Sequence, residues 1–117
     1  MDDVNLRQER QAAVATVLRA LWEQAHGTPA SAVHVLIGPD SLAVLIKGAF
    51  SPAEQRVATW RAEGQRLVQD YAEQLLAVAE PALRAQVEAA IGRRATLASV
   101  HADTASGHLL CFYNLGE

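Results

Sequence analysis

Apolar residues recur at steps of mostly three and four from Val57 through Trp60, Gly64, Leu67, Tyr71, Leu75 and Val78, and nothing else in the chain narrows the choice of fold as far. That spacing puts them on one stripe of a helix, close to the 3.5-residue repeat of a packed helical seam. The helix has a defined start at Ser51-Pro52-Ala53-Glu54. The serine caps, proline suits the first helical position, and a glutamate three residues after the cap completes a capping box. Pro81 is expected to bend or restart the helix, because an interior proline removes a hydrogen bond and crowds the preceding turn. Leu83, Val87 and Ile91 then carry it to Gly92. As continuous helix, 52–80 would span roughly 43 Å at 1.5 Å per residue. A compact domain of this length is only about 35 Å across. Part of the helix should therefore overhang or lie along a second subunit, which predicts a homodimer with Val57, Trp60, Leu67, Tyr71 and Leu75 at its interface. Trp60 also has a plainer reading: a large aromatic on an apolar stripe fills the core against a sheet. As an interface anchor it would act with Tyr71, since both residue types are enriched at binding hot spots.

The remaining elements fall around this helix. Val14, Val17, Leu18, Leu21 and Ala25 follow helical spacing within about Leu6 to Ala25, and Gly27 then Pro29 mark a C-cap and a stop. Ala32 to Ile37 and Leu42 to Lys47 are β-branched runs either side of Gly38-Pro39-Asp40-Ser41, which reads as a hairpin. Val33, Val35 and Ile37 share one face, as do Leu42, Val44 and Ile46. Thr96 to His101 and His108 to Leu115 flank the turn-rich 102–107 and read as a second hairpin. The order is then α-β-β-α-β-β: an α+β fold, with a four-stranded, mainly antiparallel sheet carrying its helices on one face. Residues 1–117 form one domain, and no repeat or linker divides them.

Composition excludes several classes. Half of the 117 residues are hydrophobic and a fifth charged, the balance of a globular chain. A net charge of −3 gives no basic stripe for nucleic acid. No apolar run reaches the ~20 residues of a transmembrane helix. The polar, acidic Met1-Asp2-Asp3-Val4-Asn5 predicts no secretion signal, and a lone cysteine, Cys111, forms no internal disulfide. These point to a cytoplasmic protein.

Candidate chemistry is sparse. Arg84, Arg93 and Arg94 near the end of the long helix suit a phosphate or carboxylate ligand, although cations there are equally explained by the helix dipole. If the second hairpin pairs residues whose numbers sum near 209, His101 faces His108, and Asp103 would add a third metal ligand. The plainer reading makes all three polar residues beside a loop. Cys111 alternates with Leu109 and Tyr113 along a strand and is expected to be buried and inert. His26 and His34 read as helix-end and strand-face residues. No GxGxxG, Walker loop, HExxH or GxSxG occurs. The expectation is a chain that is not an enzyme and carries no cofactor.

Four blocks carry a family resemblance: Gly27-Thr28-Pro29; Leu45-Ile46-Lys47-Gly48-Ala49-Phe50-Ser51-Pro52-Ala53-Glu54; Ile91-Gly92-Arg93-Arg94; and Phe112-Tyr113-Asn114-Leu115. From about Leu21 to Leu115 the chain resembles the MpsC-like family of short bacterial proteins, named for a sodium-translocating, membrane-potential-generating system. It departs from that pattern at Gln69-Asp70-Tyr71-Ala72-Glu73, where the family has arginines, and in the shortened turn at Gly27-Thr28-Pro29. The resemblance implies an accessory subunit beside a membrane complex handling ions or inorganic carbon, peripheral to the inner membrane. The first functional expectation is thus a homodimeric protein-interaction module of that kind. The second is a sensor for an anion, a nucleotide or a metal, using the arginines or the histidines above.

Overall fold

The computed structural model describes residues 2–60 and 62–117, and side chains from residue 4 onward. In chain order the elements are α1 (Asp2–His26), β1 (Ala32–Ile37), β2 (Ser41–Lys47), α2 (Pro52–Trp60), α3 (Gly64–Ile91), β3 (Ala95–Asp103) and β4 (His108–Leu115). The strands form one antiparallel sheet in the order β1-β2-β4-β3, so each hairpin supplies one central and one edge strand. This is the expected α+β fold, with the middle helical region in two pieces.

The sheet buries one face. Leu42, Val44 and Ile46 of β2 and Leu109, Cys111, Tyr113 and Leu115 of β4 point into the core, alternating with more exposed residues. The two-residue period of a strand requires that alternation when helices cover one side. From the helix side come Val14, Leu18 and Trp22 of α1 and Val68, Ala72, Leu76, Leu83, Val87 and Ile91 of α3. A bulge between Leu97 and Ser99 shifts the inward set of β3 from Leu97 to Val100 and Ala102.

Local signals set the ends of the helices. Gly27 and Gly92 take left-handed φ values of 91° and 71°, and their N–H groups return to Glu23 and Glu88 carbonyls. The capping box forms: the Glu54 N–H donates to Ser51 Oγ at 3.2 Å, and the Ser51 N–H donates to Glu54 Oε1 at 2.7 Å.

One expectation about the long helix is corrected: it is not continuous over 52–80. α2 ends at Trp60, Ala62 and Glu63 form a turn, and α3 restarts at Gly64; position 61 of the expected continuous helix lies outside the described residues. The glycine makes this corner: a β-carbon at position 64 would collide with the Val57 carbonyl of α2. Pro81 does not restart the helix: it lies inside α3, which continues on either side of it. Its ring is on the exposed side, and Ala77, whose carbonyl loses its partner, is also solvent-facing. The fold is long, 49 × 22 × 22 Å. α1 and α3 run antiparallel, with Arg10 beside Gly92 and His26 beside Tyr71. Val4 and Leu6, in the first turns of α1, are exposed.

Candidate interaction surface

The corner at Gly64 folds the expected seam into a V between α2 and α3. Val57 and Trp60 lie on one arm, Leu67 and Tyr71 on the other, and all four are exposed. Trp60 is 76% exposed, so it does not fill the core. That place belongs to Trp22, 2% exposed, whose indole Nε1 donates to the Ala49 carbonyl at 3.1 Å. Leu75 is partly buried against the core, and Val78, one turn further along α3, is 86% exposed. Glu54, Val57, Leu67, Val68 and Tyr71 line a cleft of about 240 Å³ between the arms, almost wholly apolar. A second hollow of about 450 Å³ beside it is lined by Arg56, Val57, Thr59 and Trp60. Val57 joins the two.

A buried histidine holds this corner to α1. The His26 side chain is 3% exposed and stacks on Trp22 with ring centroids 5.0 Å apart. Its Nε2 lies 2.7 and 2.9 Å from the two Glu54 oxygens, and Tyr71 tilts against it at 6.2 Å. Glu54 thus caps α2 and grips α1 through one carboxylate. The spacing that marks His26 as a helix-end residue carries no sign of this pairing, because its partner is 28 positions away.

The other candidate residues take structural duties or stand apart. Arg93 donates from Nε to the Gly116 carbonyl at 2.9 Å and from Nη1 to the Pro39 carbonyl at 2.7 Å, clamping the C-terminal end to the first hairpin turn. Arg84 pairs with Glu80 one turn earlier at 3.3 Å, on an exposed helix face. Arg94 is exposed. In the second hairpin the register sums to 211, not 209: His101 faces Leu110, and Asp103 faces His108. A tighter turn over 104–107, closed by Gly107, sets this pairing, and beyond the bulge the sum falls to 210. Among the described residues no three His, Cys, Asp or Glu side chains stand together as a metal-binding group.

A further hollow, about 610 Å³, lies away from the V between α3 and β3, lined by Arg66, Gln69, Asp70, Glu73 and His101 among others. It is shallow and polar, and its one well-held group is already engaged. Gln69 donates to the Val100 carbonyl at 2.7 Å and accepts from the Ala102 N–H at 2.6 Å, sealing the open edge of β3. In the core, burial pushes the Cys111 thiol up to about 12. Burial, and next the charge of Cys111 and of Glu80, raises the Tyr113 hydroxyl well above its ordinary range. That hydroxyl is buried without a hydrogen-bond partner among the described residues.

Fold and surface together define an α+β chain with an open apolar V on its helical side. Residues 6–112 match the family described as "Na+-translocating membrane potential-generating system (MpsC)", so the chain belongs to the MpsC family, as the sequence blocks indicated. No curated protein and no solved structure matches it. No helix among the described residues is long and apolar enough to cross a membrane.

Proposed function

We propose that this chain is a non-enzymatic interaction module, a homodimer that acts in the cytoplasm beside a membrane ion or inorganic-carbon transport system. The observation that carries the dimer is the continuous exposed surface of Val57, Trp60, Leu67 and Tyr71, extended along α3 by Val78. Apolar side chains grouped in this way mark association surfaces. Tryptophan and tyrosine supply large contact area at low entropic cost, which suits them to the centre of an interface. The family description supports the membrane partner, and the absence of a spanning helix among the described residues fits attachment from one side. The face of the sheet away from the helices, where Leu36 and Phe112 stand exposed, would stay open in such a dimer and available to that partner.

Co-purification tests the partner. Tagged chain recovered from gently solubilised native membranes is expected to bring down subunits of a transport complex, and Leu36→Asp with Phe112→Asp to release them. Recovery without any transport subunit would remove the membrane role. The dimer is tested separately by sedimentation, with Trp60→Ala and Tyr71→Ala expected to shift the chain toward monomer.

A further inference from the structure

Along α3 the exposed residues sort by charge. Leu67, Tyr71, Gln74, Val78, Ala82, Ala85 and Ala89 are all exposed and all uncharged. At the ~100° per residue of an α-helix they lie within about 40° of Val78, forming one strip about 33 Å long. The strip is graded: its large residues are in the first half and its alanines in the second. Its spacing is also symmetric about Val78. Counting outward, Ala82 balances Gln74, Ala85 balances Tyr71, and Ala89 balances Leu67. Val78 is beside the midpoint of α3 (Gly64–Ile91) and is its most exposed large apolar residue at 86%.

We infer that two copies of the chain pair through α3 in antiparallel orientation, with Val78 on the two-fold axis. The inference rests on the dimer reading above and gives it an orientation and a register. A two-fold interface must be self-complementary: residue i meets j, and j meets i. Antiparallel pairing centred on Val78 sets Leu67 against Ala89, Tyr71 against Ala85 and Gln74 against Ala82, each large side chain over a small one. Alternating large and small residues across facing positions is how helices interdigitate without voids. Parallel pairing would set Tyr71 on Tyr71 at one end and Ala85 on Ala85 at the other, crowding the first and leaving a gap at the second.

The charges beside the strip agree with this register. Asp70, Arg84, Arg66 and Glu88 occupy one flank of α3. In the antiparallel pair each Asp70 falls about 3 Å along the axis from the partner's Arg84, which also pairs with its own Glu80, and each Arg66 the same distance from the partner's Glu88, whose Oε2 already accepts from the Ala95 N–H. The one like-signed approach, Asp70 to the partner's Glu88, lies between both arginines. Exposed pairs of this kind add little affinity and mainly favour one alignment. A strip about 33 Å long and about 10 Å wide from each copy, with Val57 and Trp60 at its end, approaches the roughly 1,000 Å² total of a specific interface.

Cysteine cross-linking tests orientation and register directly, because a disulfide needs Cα atoms within about 7 Å. Native Cys111 is fully buried and serves as the unreactive background. Val78→Cys alone should give a covalent dimer on mild oxidation. Leu67→Cys alone should give none, since the two copies of position 67 would be about 33 Å apart. A mixture of Leu67→Cys and Ala89→Cys chains should cross-link to each other. Ala85→Glu, on the exposed strip and clear of the core, should raise the dimer Kd by on the order of tenfold or more with the fold unchanged by circular dichroism. A Leu67→Cys chain that cross-links to itself would establish parallel pairing and overturn the inference. A dimer by sedimentation whose Val78→Cys form does not cross-link would overturn it while leaving the dimer standing. A chain that stays monomeric would remove both.

Discussion

A methyl group at position 64 would overlap the backbone carbonyl of Val57, so the angle between α2 and α3 depends on glycine there. Gly64→Ala is expected to cost about 1–3 kcal/mol, the range for overpacking a tight contact. It should read as a lower urea midpoint, with the exposed control Ala77→Ser leaving the midpoint in place. Cys111 makes a second residue-scale prediction. Its thiol ordinarily ionises near 9 and is held to about 12 in the fold. Above pH 9 the unfolded chain therefore binds fewer protons than the folded one, and stability falls with rising pH. This contribution is complete below pH 9 and disappears toward 12, with a slope of at most about 1.4 kcal/mol per pH unit. Tyr113, raised in the same direction, adds to it. Urea midpoints of Cys111→Ala measured from pH 8 to 10.5 should decline less steeply than those of the natural chain. An equal decline would show that the thiol is not the source.

Among the helices, α2 has the most local specification and the least burial, with Ala58 its one buried residue. Ser51→Ala removes the hydroxyl that accepts the Glu54 N–H and is expected to cost about 1 kcal/mol. Hydrogen exchange should show it, with faster amides in 52–60 and unchanged amides in 72–90; uniform change would mean that α2 has no independent stability. The same distinction explains what could be read from the sequence. Caps and turns are local, and Ser51-Pro52-Ala53-Glu54, Gly27 and Gly92 could be placed from their neighbours alone. The strands were legible from their alternation. The break before Gly64 was not, because the three-and-four spacing of apolar residues runs on across the corner and hides it. That Pro81 stays inside α3 was open for a different reason: the cost of an interior proline depends on which side of the helix it faces, and that is a tertiary fact. The pairing of His101 with Leu110 depends on the length of the turn at 104–107, which a polar run from 102 to 107 leaves open. The exposed V was half legible. Its residues were picked out as a set, but whether Trp60 or Trp22 filled the core required knowing where α1 packs.

At the scale of the whole molecule, helix length argues for a partner, although the 52–80 helix on which that argument rests is divided before Gly64. α3 lies along a body 49 Å long, and Val4 and Leu6 at the start of α1 are exposed. What remains for a partner is the uncharged strip of α3 with the V at its start. A surface of that kind on a 12.6 kDa chain should not stay in water at working concentration. Sedimentation velocity across the low micromolar range tests this most directly. A species of twice the chain mass is expected, moving to monomer in Trp60→Ala/Val78→Glu without loss of circular dichroism. A natural chain that sediments as monomer throughout that range would contradict the dimer and the function built on it.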